Sequence, residues 1–150
     1  MNCGIRAARG ILLIWLAIGV LTTATGCGGS QAAVSQPEVS ARITSLLRLY
    51  QAYCDKHKKG PPNEAALVEF GQKLTPEERE AYLITGEIDS IFTSPRDGQK
   101  FVVKYNQRID PGQNRAIAWE ATGANGKRFV ALSIGYIEEY DEATLKDYQK

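Results

Sequence analysis

The chain has 150 residues, with 18 Lys and Arg against 17 Asp and Glu, a formal charge of +1 and 43% hydrophobic side chains. That length suits one domain with a single core, and the near-neutral balance excludes the electrostatic footprint of a nucleic-acid binder. Three cysteines and one histidine leave no room for a disulfide framework.

The first element is apolar. Arg6 and Arg9 are the only charged side chains before Glu38, and between them and the small residues Thr22 to Gly26 lies Ile11 to Leu21. A positive start, a short apolar run and a small-residue end are the three parts of an export signal. The run falls well short of the roughly 20 apolar residues that a permanent helical span needs. The stretch Ala24-Thr25-Gly26-Cys27 resembles the lipobox of bacterial lipoproteins. The resemblance implies a diacylglyceryl thioether on Cys27 and peptidase cleavage between Gly26 and Cys27. Ala24 stands where a larger aliphatic residue is commoner in that family. Two other readings of the same residues are an ordinary signal peptide cut near Gly26 and an uncleaved anchor. Removing residues 1–26 takes away two arginines and no acid, so the formal charge falls to −1. It also removes Cys3. With Cys27 lipidated, Cys54 is alone and no internal disulfide can form.

Residues 27–36 are small and polar and read as a tether; about ten such residues reach roughly 15–20 Å. From Pro37 to Lys59 the spacing predicts a long helix. Val39, Ile43, Leu46, Leu47, Tyr50, Tyr53, Cys54 and His57 recur at three- and four-residue steps. Ser35 and Glu38 have capping-box spacing, Lys56, Lys58 and Lys59 suit the carbonyl end, and Gly60-Pro61-Pro62 supplies the stop. Asn63 caps a short helix carrying Leu67, Val68, Phe70 and Leu74. Thr75-Pro76-Glu77-Glu78 opens a third, expected to run through about Ile84 and end at Gly86.

Beyond Ile88 the period changes to two. Asp89 to Phe92 reads as a short extended piece, and Pro95-Arg96-Asp97-Gly98 as a turn. Strands are predicted over Phe101–Tyr105, Ala116–Glu120 and Phe129–Ile134, with Tyr136–Tyr140 as an extension of the third. Asn125-Gly126 is the strongest short hairpin signal. Asp141 caps a last helix to Tyr148. Helices before strands predict an α+β domain over 37–150, a long amino-terminal helix and short helices packed on a three- to four-stranded antiparallel meander, with a short carboxy-terminal helix. One sheet face is expected on the long helix and the other partly wet.

Ile43 to Pro62, a helix with a Gly/Pro exit, leading into this order of elements, resembles the soluble part of pseudopilins. Thr93-Ser94-Pro95-Arg96-Asp97-Gly98-Gln99-Lys100-Phe101-Val102-Val103 is similar to sheet-entry segments of small exported proteins from planctomycete-like bacteria. The likeness spans roughly residues 38–135. Pseudopilins carry a glutamate near the start of an apolar fibre-building helix, and residues 10–26 hold no acid. The resemblance therefore implies a fold and not fibre assembly.

Candidate chemistry is sparse. Cys54 and His57, three apart, share a helix face and are the residues on which a nucleophile or half a metal site would rest, though a metal lacks further ligands; a half-buried thiol and a helix-end imidazole are the ordinary reading. Asp97 and Asp110 read as turn formers. Glu77 to Glu80 is a charged helix start, and Glu138 to Glu142 an acidic patch suited to solvent or to a basic partner. Tyr105, Trp119 and Phe129 read as core, or as an aromatic groove. No glycine-rich phosphate loop or nucleophile elbow is present. The expectation is a non-enzymatic envelope protein without cofactor or metal, held by lipid at the cell membrane or outer membrane on the exported side. Its role would be structural or contact with another envelope protein. The alternative is a lipid-tethered binding module for a small ligand or glycan.

Overall fold

Val39, Ile43, Leu46, Leu47, Tyr50, Tyr53 and Cys54 line one side of α1 (Gln36–His57), and all are buried. The computed structural model describes residues 36–110 and 112–150. The apolar segment, Gly26, Cys27, the tether and Ser35 lie outside the described residues. Ser45, Leu49 and Ala52 are also buried, so α1 hides more than a single amphipathic stripe. It is covered from two sides, by the sheet and by the short helices that follow it.

The exit from α1 differs from the expectation in detail. Lys58, not Gly60, takes the left-handed conformation, at φ 58°, and its N–H donates to Cys54 O at 2.8 Å. Gly60 is needed for closeness instead, because a Cβ there would collide with the Gln107 backbone. α2 (Glu64–Lys73) begins where Asn63 accepts from Ala66 N at 2.9 Å. α3 (Pro76–Ala81) opens with a complete capping box: Glu78 N donates to Thr75 Oγ1 at 3.2 Å and Thr75 N to Glu78 Oε2 at 3.0 Å. It stops before Ile84, earlier than predicted. Leu83 sits at φ 56° and is 65% exposed, while Ile84 N reaches back to Arg79 O at 2.9 Å. That pairing is the Schellman closure, which glycine usually makes.

Ser90–Phe92 is a 3₁₀ turn and not an extended piece. Ile91 and Phe92 are buried against α1, and Arg42 holds the turn from outside by donating to Ser90 O and Thr93 O, both at 3.4 Å. The sheet is a plain antiparallel meander of β1 (Val102–Val103), β2 (Ala116–Trp119), β3 (Lys127–Leu132) and β4 (Ile137–Asp141), in that order. β1 is shorter than the predicted Phe101–Tyr105. The segment after Ile134 folds back as its own strand, turning through Gly135 at φ 100°.

All four residues of β2 are buried. The ladder slips between Ala116 and Ala118, so Ile117 and Ala118 face α1 while Ala116 and Trp119 enter a second cluster with Val130, Leu132 and Leu145. That second face is covered in part. α4 (Glu142–Tyr148) lies on it, capped by Asp141, which accepts from Thr144 N at 2.8 Å, and Tyr148 stacks on Tyr140 at 5.0 Å. The described residues form an α+β fold, with four α-helices and one four-stranded antiparallel sheet among them.

Candidate functional site

Cys54 and His57 follow the same stretch of α1 but open to different surroundings. Cys54 lines a cleft of about 430 Å³ with Gln51, Asp55, Ile109, Asp110, Ser133 and Ile134. Its thiol is free and 6% exposed, with Gln107 O as a distant acceptor at 4.0 Å. Burial pushes the thiol above its ordinary range; hydrogen bonding from the Ile109 backbone opposes this, and Asp55 reinforces it. A thiol so placed stays protonated near neutrality, and the thiol form is a poor nucleophile.

His57 belongs to a separate cleft of about 200 Å³ with Tyr53, Phe70 and Lys73. Its ring lies 4.3 Å from Tyr53 and 5.6 Å from Phe70. The imidazole packs on aromatic rings in place of activating sulfur, so the spacing that suggested a Cys–His pair does not produce one. Among the described residues, no group of three or more His, Cys, Asp and Glu is arranged to hold a metal ion.

The two turn aspartates have structural partners. Asp97 accepts from Gln99 N at 2.9 Å through one oxygen, and from Thr122 N at 3.1 Å and Gly123 N at 3.0 Å through the other. Asp110 pairs with Arg108 at 3.1 Å. The acidic run near the carboxy terminus is also engaged: Glu139 pairs with Arg96 at 2.7 Å, Glu142 with Arg128 at 2.9 Å, and Asp141 caps α4. Trp119 is 7% exposed and packs under α4, and Phe129 lies beneath the Arg96 guanidinium at 4.7 Å. Tyr105 is half-buried, and burial pushes its hydroxyl up to about 12. These three aromatics do not form an open platform.

The densest polar arrangement is one the sequence reading missed. Glu120 is fully buried, yet every approach to its carboxylate is a donor. Ser94 Oγ donates at 2.6 Å, Arg96 Nε at 3.2 Å and Phe129 N at 2.9 Å, and a second Arg96 nitrogen closes a two-point ion pair. Arg96 also donates to Glu139 and to Lys127 O at 3.2 Å. The Ser94–Gly98 loop is thereby riveted to the end of β2, the first half of β3 and the middle of β4. The signal was present as an acid placed directly after the apolar strand Ala116–Trp119. Only its partner in a distant turn was illegible. Gly26 and Cys27 lie outside the described residues, and no helix among those residues is long and apolar enough to cross a membrane. Comparisons with protein families, curated proteins and solved structures found no match.

Proposed function

We propose that the chain is a lipid-anchored cell-envelope protein whose α+β domain serves structure or contact with another envelope protein. The observation that carries the proposal is Ala24-Thr25-Gly26-Cys27 at the end of a charged-then-apolar start. Small residues let a peptidase grip an extended backbone before Cys27. Acyl chains on the thioether, and on the amine freed by cleavage, then hold the protein without spanning the bilayer; one chain alone is marginal, and two or more hold firmly at about 0.8 kcal/mol per buried methylene.

The non-enzymatic part of the reading is supported by a protonated, buried Cys54 and by His57 stacking on Tyr53. It is supported too by Glu120 and Arg96, whose charges are taken up in a buried ion pair. The order of one long helix, short helices and an antiparallel sheet supports a pseudopilin-like body without the fibre-building helix. Fractionation of cells carrying Cys27→Ala tests the anchor. The native protein is expected to stay with membranes through high-salt and carbonate washing, and the variant to be lost from them. Equal retention of the two would refute the proposal.

A further inference from the structure

Asn125 and Gly126 form the tip of the β2–β3 hairpin. Ala124 and Lys127 exchange two backbone hydrogen bonds of 2.9 Å across them, and both tip residues have positive φ, at 52° and 72°. Both are exposed. We propose that Asn125 is a site of spontaneous deamidation, through a succinimide formed with Gly126.

The chemistry needs only these two residues and water. The Gly126 nitrogen gives its proton to solvent base and attacks Cγ of Asn125. The bond from Cγ to the side-chain nitrogen breaks, and ammonia leaves with a proton from solvent. Water then opens the five-membered ring. Attack at the side-chain carbonyl leaves an ordinary aspartate, whereas attack at the backbone carbonyl leaves an isoaspartyl link that runs through the side chain.

Several features favour this position. Among the described residues the Gly126 N–H has no hydrogen-bond acceptor, so no bond of its own must be broken before it reacts. Glycine offers no Cβ to block the approach, and the space where one would lie is empty. No other asparagine in the chain precedes a glycine. Attack requires the Ala124–Lys127 bonds to open, but leaves the β2–β3 ladder in place.

The two products differ in effect. Aspartate adds a negative charge beside Lys127 and keeps the turn, since Asp-Gly suits the same primed geometry. The isoaspartyl link inserts a backbone carbon into a two-residue turn that cannot absorb it. The adjoining groups are the Thr122 and Gly123 amides bound by Asp97 and the Lys127 carbonyl bound by Arg96, so the strain falls on the riveted loop.

The test is timed incubation of the purified full chain at mildly alkaline pH, followed by peptide mass mapping that separates aspartyl from isoaspartyl products. Exposed Asn106 and Asn114 serve as internal controls. Asn125 is expected to convert at least about tenfold faster than either, equivalent to about 1.4 kcal/mol of barrier, with both products present. Gly126→Ala should slow it by a similar factor, and unchanged rates at Asn106 and Asn114 would report that this variant remains folded. Should it misfold, comparison of the three asparagines in the native chain still decides. Conversion of Asn125 no faster than the controls would overturn the proposal, as would an unchanged rate in a folded Gly126→Ala.

Discussion

Glu120 is buried among donors that replace its water shell, and its Arg96 partner is itself only 11% exposed. Removing one member of such a pair strands the other charge, at a cost of about 3–5 kcal/mol. Glu120→Ala is therefore expected to lower stability in urea melts by that amount. Arg108→Ala, which breaks an exposed pair with Asp110, should stay within about 1 kcal/mol. Comparable losses for the two would mean that the buried network does not hold the fold. Leu83 poses the opposite case. A left-handed leucine carries about 1–2 kcal/mol of strain, against about 0.5–1 kcal/mol of extra chain entropy for glycine. Because its side chain is mostly exposed, Leu83→Gly should leave stability unchanged or raise it by up to about 1 kcal/mol, and a clear loss would show that the side chain makes contacts the fold needs. Tyr50 and Tyr105 define a pH response. Burial is the first cause of a raised hydroxyl in both, from 10.0 in a free chain, with Tyr105 reaching about 12. The folded state thus holds these protons more tightly than the unfolded state. The stability they contribute is complete below pH 10 and is lost as the pH rises through the folded values. Thermal melts should show a midpoint that falls above about pH 10, in step with tyrosine ionisation followed by absorbance. Ionisation near 10.0 with a flat midpoint would contradict this.

The elements that the sequence announces are those whose signals are local. Asn63, Thr75 with Glu78, and Asp141 each cap the helix they precede, and Thr75→Ala should cost about 1 kcal/mol, measurable as a shift in the urea midpoint. Asn125-Gly126 forms its turn as its residue types demand. What was illegible depends on partners distant in sequence. Ser90 to Phe92 looks extended by composition but coils into a 3₁₀ turn because Ile91 and Phe92 fill the core beside α1 and Arg42 takes up the exposed carbonyls. The stop of α3 at Ala81 rests on a leucine in a glycine conformation, which propensity argues against. The sheet face expected to be partly wet is covered in part by α4, whose short apolar side carries a single fully buried leucine, Leu145. For the site, the Cys54–His57 spacing predicted shared location on a helix and nothing about environment. Tyr53 and Phe70 claim the imidazole, and the cleft beside Asp55 and Asp110 claims the thiol.

At the scale of the molecule, ion pairs and hydrogen bonds link elements distant in sequence. Tyr50 illustrates how the parts are joined. Its buried hydroxyl lies 2.6 Å from Gln107 O and 2.9 Å from Lys104 O, tying α1 to the chain that leaves β1. Losing it in Tyr50→Phe should cost about 1–3 kcal/mol. The proposed location of this body at a membrane rests on Cys27. The most direct measurement is the intact mass of the protein extracted from membranes, with sequencing of its amino-terminal peptide. A chain beginning at Cys27 and carrying a diacylglyceryl thioether is the expected result; an unmodified Cys27, or a start elsewhere than Cys27, would contradict the lipid anchor.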